Sequence, residues 1–237
     1  MKYTLAPLAV IGLAVCSFAA GEGKWSPEAV SLPQFWDSDS KPMAVPSHGQ
    51  RLVLRVQGQK TGKGYPDDEF APEYFLQDGS NRLHPSIHTY AMPEALWSPN
   101  SRILALTSSD GGLVGSWKVY TYTVSGSSVI KHDPMKQVQA DLARAFPAGV
   151  NPDGASFFSK TEREQFARDP SWVDVVALHW LTSPERLLVL AFIPPSSGYG
   201  VNMGKRRGYL IDPLSGAILR SYTENEMKRL WGKYLRE

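Results

Sequence analysis

The chemistry open to this chain starts from few side chains: five histidines, one cysteine, and one dense acidic run, Asp67-Asp68-Glu69. His84 and His88 have the four-residue spacing that suits zinc when both sit on one helix face. Pro85 lies between them, however, and the neighbours are strand-forming, so helical ligand geometry is not expected. His132 and Asp133 could join such a site only through the fold. The oxygens of Asp67, Asp68 and Glu69 would suit calcium, but no Asp-x-Asp-x-Asp-Gly loop frames them, so they read as a solvated loop. Paired carboxylates for glycosidic chemistry need a set separation, which spacing along a chain does not supply. The single cysteine, Cys16, lies in an apolar run near the start; the rest of the chain has no disulfide, no thiol nucleophile and no thiolate zinc site.

Two other fragments carry chemical motifs in part. Gly58-Gln59-Lys60-Thr61-Gly62-Lys63-Gly64 has the look of a phosphate loop, but three residues rather than four separate its first two glycines. Gly64 also stands where a magnesium-binding hydroxyl is required. Ser38-Asp39-Ser40-Lys41 and Lys60-Thr61-Gly62 resemble two triplets of penicillin-binding proteins. That chemistry needs the serine at a helix start, and here it lies in Pro/Ser-rich chain with no Ser-Asp-Asn element. No Gly-x-Ser-x-Gly elbow occurs, which weighs against an esterase.

The first residues read as an address. Lys2 precedes an apolar run from Leu5 to Val15, followed by small residues, which is the form of an export signal. The run is too short to span a bilayer, which takes ~20 apolar residues. Ser17 and Ala19 place cleavage after Ala19, making residues 1–19 a signal peptide. Leu13-Ala14-Val15-Cys16 also resembles the lipobox of bacterial lipoproteins, with Val15 where Gly, Ala or Ser is usual; that resemblance implies a lipid anchor on Cys16. No later run approaches a membrane span, so no transmembrane segment is expected in the mature chain.

The 237 residues carry a formal charge of +2, with 42% hydrophobic and 20% charged residues, which excludes a disordered chain and a polyanion binder. Without a basic stripe, no nucleic-acid partner is expected. Residues 20–47, rich in Pro and Ser, read as an irregular strap or linker, and Trp25 and Trp36 favour a strap, because such rings are seldom left in water.

From residue 48 to 237 a single, mainly β domain is expected. Ser47-His48-Gly49-Gln50-Arg51 precedes Leu52-Val53-Leu54, Ser98-Pro99-Asn100-Ser101-Arg102 precedes Ile103-Leu104-Ala105-Leu106, and Ser183-Pro184-Glu185-Arg186 precedes Leu187-Leu188-Val189-Leu190. Each is a turn, an arginine and an apolar strand. Each then leads through a Gly-rich loop to a hairpin: Glu73–Leu76 with Arg82–His88, Trp117–Val124 with Ser127–Lys131, and Gly208–Ile211 with Ala217–Tyr222. Trp97-Ser98-Pro99-Asn100-Ser101-Arg102-Ile103-Leu104-Ala105-Leu106 resembles the blade signature of TolB-type β-propellers. His179-Trp180-Leu181-Thr182-Ser183-Pro184 is a degraded copy, and the first unit lacks the Trp. The resemblance implies repeated antiparallel β-meanders, in a partial or irregular propeller-like arrangement, and a binding platform. Three units fall short of the usual 4–8 blades, so ring closure stays open.

A helical insertion is expected near residues 133–172. Asp133-Pro134 would cap a first helix carrying Met135, Val138, Leu142 and Phe146, and Thr161 with Glu164 would cap a second. A C-terminal amphipathic helix follows, capped by Thr223 and Glu226, with Met227, Leu230, Trp231, Tyr234 and Leu235 on one face.

The loops at 58–71, 108–116 and 194–208 occupy the same place in the three units. They offer Tyr65, Asp67, Asp68, Glu69, Asp110, Tyr199, Asn202, Lys205, Arg206 and Arg207 as candidate binding residues. The expected function is an exported binding protein, periplasmic, secreted or envelope-tethered, that uses this loop face on a protein or glycan partner without catalysis and without a cofactor or metal. The alternatives are a hydrolase built on Asp67, Asp68, Glu69, His84 and His88, and a structural envelope component.

Overall fold

The computed structural model describes residues 24–33, 42–57, 72–89, 91–109, 116–149, 159–195 and 200–235. The expected signal segment, Cys16 and Trp36 lie outside them. The described chain is mainly β, with three antiparallel sheets and no closed barrel. A two-residue strand, β1 (Val30–Ser31), comes first. The first sheet follows chain order through β2 (Met43–Pro46), β3 (Leu52–Gln57), β4 (Glu73–Asp78) and β5 (Asn81–Arg82). The second runs through β6 (Ala91–Trp97), β7 (Ile103–Ser109), β8 (Trp117–Ser125) and β9 (Ser128–His132), with β1 added on the free side of β6. Helices α1 (Lys136–Ala145) and α2 (Lys160–Arg168) intervene before the third sheet: β10 (Asp174–Thr182), β11 (Glu185–Phe192), β12 (Arg206–Ile211) and β13 (Ile218–Tyr222). Helix α3 (Glu224–Trp231) follows, and a 3-10 turn over Gly232–Tyr234 comes after it.

Side-chain alternation dictates how the sheets stack. Leu54, Val56, Tyr74 and Leu76 of the first sheet pack against Trp97, Leu104 and Leu106 of the second. The opposite face of the second sheet, with Leu96, Ile103 and Ala105, meets Val175, Ala177, Trp180, Leu187 and Val189 of the third, joined by Val138 and Leu142 of α1. The far face of the third sheet, with Val176, Leu178, Leu188 and Leu190, is covered by Met227 and Tyr234 at the C-terminal end. Strands in the middle of the stack are buried on both faces and read as unbroken apolar runs, such as Ile103-Leu104-Ala105-Leu106. β3 has one wet face and alternates accordingly: Leu54 and Val56 inward, Arg55 and Gln57 outward. On that outer face Arg55 Nε donates to Gln77 Oε1 at 2.9 Å, and Arg82 pairs with Glu73 and lies 4.2 Å from the centre of the Phe75 ring.

The turns joining the first two strands of each sheet lie side by side. In the first two, Ser47 N donates to Leu52 O and Ser98 N to Ile103 O, both at 2.8 Å, and Gln50 and Ser101 take φ of 57° and 64°. Gly49 N donates to Ser101 Oγ at 2.6 Å, and Asn100 donates to the Glu185 carboxylate from N (3.1 Å) and Nδ2. The third turn differs from expectation. It is the two-residue Ser183-Pro184, flanked by the pair Thr182↔Glu185, so Arg186 pairs within β11 opposite Leu181. Arg51 and Arg102, in contrast, precede their strands.

Three further expectations are corrected. The segment Arg82–His88 is not one strand: β5 ends at Arg82, and beyond it only isolated bridges occur, His84 to Ser128 and Ile87 to Tyr74. Pro85, with no N–H to give a ladder, explains the break. Helix α1 starts at Lys136 with Met135 at the cap and no side-chain cap bond, rather than on Asp133-Pro134. Pro134 is instead packed against Gly216, where an added Cβ would lie 2.1 Å from Pro134 O. Helix α2 is capped two residues early, by Ser159 and Glu162 in a reciprocal box rather than by Thr161 and Glu164. The two overlapping Ser/Thr-x-x-Glu patterns compete, and the earlier one leaves Glu164 to pair with Lys160 and Arg168. At α3 the expected box of Thr223 and Glu226 is present.

Candidate functional site

The first strands of the three sheets, β2, β6 and β10, run together and wall a cleft of about 900 Å³. Two tryptophans hold these strands in register. Trp97 Nε1 donates to Val45 O at 3.1 Å, and Trp180 Nε1 donates to Leu96 O at 3.2 Å. In both cases the indole of one sheet satisfies a carbonyl in the first strand of the sheet before it. Position by position, Val45 precedes Pro46, Leu96 precedes Trp97 and His179 precedes Trp180, and Pro46, Trp97 and Trp180 pair alike with Val53, Leu104 and Leu187. His179 is thus the counterpart of two apolar residues. Its neighbour in the next layer is Tyr234, just past α3, whose ring stacks on the imidazole at 4.1 Å between centres and 17° between planes.

Residues 24–33 cross all three sheets. Trp25 lies 5.3 Å, centre to centre, from both Trp117 and Phe192, and its backbone N–H donates to both carboxylate oxygens of Glu94 at 2.9 and 3.0 Å. Glu28 Oε2 sits 2.7 Å from His179 Nδ1. Val30 and Ser31 pair with Ala95 and Glu94, and Pro33 O accepts from the Tyr74 hydroxyl. The cleft wall is largely apolar, with Val30, Val45, Leu96, Trp97, Trp180 and Leu181 prominent; His48, His179 and Glu28 supply its ionisable groups among the described residues. Thr182 and Ser183 line its end.

The loop residues read from the sequence fall differently. Tyr65, Asp67, Asp68, Glu69, Asp110 and Tyr199 lie outside the described residues. The three loops do join the second and third strands of their sheets, and Trp25 bridges the flanks of the latter two through Trp117 and Phe192. Asn202 donates from Nδ2 to Pro147 O at 2.8 Å, and Lys205 is exposed. Arg206 and Arg207, adjacent in β12, point to opposite faces of the sheet. Arg206 pairs with Glu224 of α3 at 2.9 Å, and Arg207 with Asp141 of α1 at 3.2 Å. The Lys228 ammonium, followed by Arg206, holds the Glu224 carboxyl below its usual range. Burial foremost, then Asp141, pushes the Tyr209 phenol upward. These two arginines therefore tie helices to the sheet and do not form one patch.

His84 and His88 are exposed, and neither lines the cleft. No group of three His, Cys, Asp or Glu able to hold a metal occurs among the described residues. Nor is any described helix long and apolar enough to cross a membrane. Sequence reasoning missed Glu28, His48, His179 and Tyr234 as site residues. One signal was present: a histidine before Trp180, where the other units carry Val45 and Leu96. No protein-family model, curated protein or solved structure matches this chain.

Proposed function

We propose that this chain is an exported, non-catalytic binding protein that holds a segment of a protein partner in the cleft between β2, β6 and β10. The three sheets are read as successive blades of an open, propeller-like stack, with the cleft along the strands that would face a propeller axis. The observation that carries the reading is the cleft itself: about 900 Å³, largely apolar, with few polar groups. Sites of this size and lining take organic or peptidic ligands. Export rests on the sequence of residues 1–19, with a lipid anchor on Cys16 as its variant; intact mass and N-terminal sequencing of the protein from cells distinguish a start at Ala20 from a diacylated Cys16.

The test is recovery of partners from an envelope extract with three proteins of equal thermal stability: wild type, Leu181→Arg in the cleft wall, and Arg206→Ala/Arg207→Ala outside it. Loss of a partner with Leu181→Arg alone is expected. Loss with the double arginine variant alone would return the site to the loop face.

A hydrolase is the second reading, favoured by one observation: Glu28 and His179 meet at 2.7 Å on a cleft that Thr182 and Ser183 also line. An acid that orients a histidine beside a hydroxyl is the usual assembly for acyl transfer. Turnover of p-nitrophenyl acetate that disappears in His179→Phe would select it over the binding reading.

A further inference from the structure

The wet face of the first sheet carries a groove of about 250 Å³ that shares no lining residue with the cleft. It exists because of one small side chain. Across from Arg55 of β3 stand Phe75 on β4 and Ala44 on β2. A methyl group at that place leaves the surface open beside the arginine, and Pro42, Met43, Gln57 and Phe75 complete the walls. Arg55 is the one charged side chain in these walls, and its orientation is fixed. Gln77 Nε2 donates to Gly79 O at 2.6 Å, and Gln77 Oε1, so turned, accepts from Arg55 Nε at 2.9 Å. With Nε engaged, the guanidinium keeps its Nη1–Nη2 edge, which has no partner among the described residues. The neighbouring Arg82 is committed: it pairs with Glu73, donates to Ser86 Oγ at 2.8 Å and lies over the Phe75 ring.

We propose that this groove is a second binding site, for a small monocarboxylic acid with an apolar body. The carboxylate sits on the Nη1–Nη2 edge of Arg55, and the apolar body lies against Phe75, Pro42 and Ala44. Three observations choose this ligand. The free edge offers two parallel N–H donors, which match the two oxygens of a carboxylate. The charge is single: Arg82 is already balanced by Glu73, so Arg55 suits a monoanion, whereas a phosphate dianion would call for a second free cation. The volume lies below that of pockets for drug-sized molecules, so the body is compact. Arg55 needs no rearrangement to receive it, because the Gly79–Gln77–Arg55 relay holds the guanidinium in place beforehand.

The test uses the full chain with 15N-labelled arginine and two probes of one shape at matched ionic strength: phenylacetate, and uncharged phenylacetamide. Phenylacetate is expected to shift the Arg55 Nε resonance saturably, while exposed Arg102, the reference for unspecific ion pairing, stays unmoved. Phenylacetamide is expected to bind at least about tenfold more weakly. Two variants separate the charge from the space. Arg55→Gln should abolish the difference between the probes. Ala44→Leu, which fills the groove and keeps the charge, should weaken phenylacetate binding about tenfold at an unchanged thermal midpoint. Equal shifts at Arg55 and Arg102, equal binding of the two probes to wild type, or undiminished phenylacetate binding by Ala44→Leu would each overturn the site. So would the absence of any shift at Arg55 with phenylacetate at millimolar concentration.

Discussion

Glu28 and His179 are 151 residues apart in sequence and 2.7 Å apart in the fold, and through them the N-terminal crossing segment is fastened to the third sheet. Glu28 is about half exposed, so the pair itself adds little to global stability, about 1 kcal/mol or less. Its role is local. Glu28→Ala is expected to leave the urea midpoint nearly unchanged while speeding amide exchange at Leu32, whose N–H donates to Pro93 O. Unchanged exchange there would show that Glu94 and Tyr74 hold the segment unaided.

The two indole bonds between sheets predict matched costs. Trp97→Phe and Trp180→Phe each leave a buried carbonyl, Val45 O or Leu96 O, without its donor and open a gap beside it. Each is expected to destabilise by about 2–3 kcal/mol in urea denaturation. The two effects should add in the double variant, because the bonds belong to different inter-sheet cores.

Two turn glycines share a backbone conformation but not their surroundings. Gly79 has φ +59° with open space around it, whereas Gly216 has φ +72° and sits against the Pro134 backbone. Gly79→Ala is expected to cost about 1 kcal/mol from the left-handed conformation alone. Gly216→Ala adds a collision that a backbone cannot avoid cheaply and should cost at least twice as much, read from thermal melts.

Acid should loosen α3. Thr223 donates from its backbone N–H and its hydroxyl to the Glu226 carboxylate, which holds that group below its ordinary value of 4.5; Glu224 is held low by Lys228 and Arg206. A carboxylate depressed in the folded state stabilises fully above its unfolded value, and that contribution is lost as the pH falls through the folded value. Fluorescence of Trp231, followed from pH 6 down to pH 3, should therefore change as the pH drops below about 4.5. Thr223→Ala should shrink the part of this change due to Glu226; an identical profile would place the acid response elsewhere.

How much of this could be read in the chain depends on range. β3 announces itself because one face is wet and its polar residues alternate with Leu54 and Val56. The turns at Ser47 and Ser98 are legible because Gly, Asn and Pro mark them locally, and the cap of α3 because Thr223 and Glu226 are three residues apart. Helix α2 was misplaced because Ser159 and Thr161 both satisfy the same pattern and local sequence does not rank them. Asp133-Pro134 lost its cap role to a contact between Pro134 and Gly216, which are far apart in the sequence and share no local pattern. The Glu28–His179–Tyr234 cluster was illegible for the same reason: its members come from the first crossing segment, the third sheet and the C-terminal end, and only the stacking of sheets brings them together.

The face that α3 covers has a further consequence. The first sheet ends the stack with a side that water tolerates, carrying Arg55, Gln77 and Arg82, but the third sheet ends it with Val176, Leu178, Leu188 and Leu190. Without Met227 and Tyr234 that side would be as greasy as any interior layer and ready to receive another sheet, including one from a second molecule. The C-terminal end thus covers the apolar face on which a further layer could otherwise pack. A chain cut before Thr223 would be expected to lose its solubility before it lost its strands.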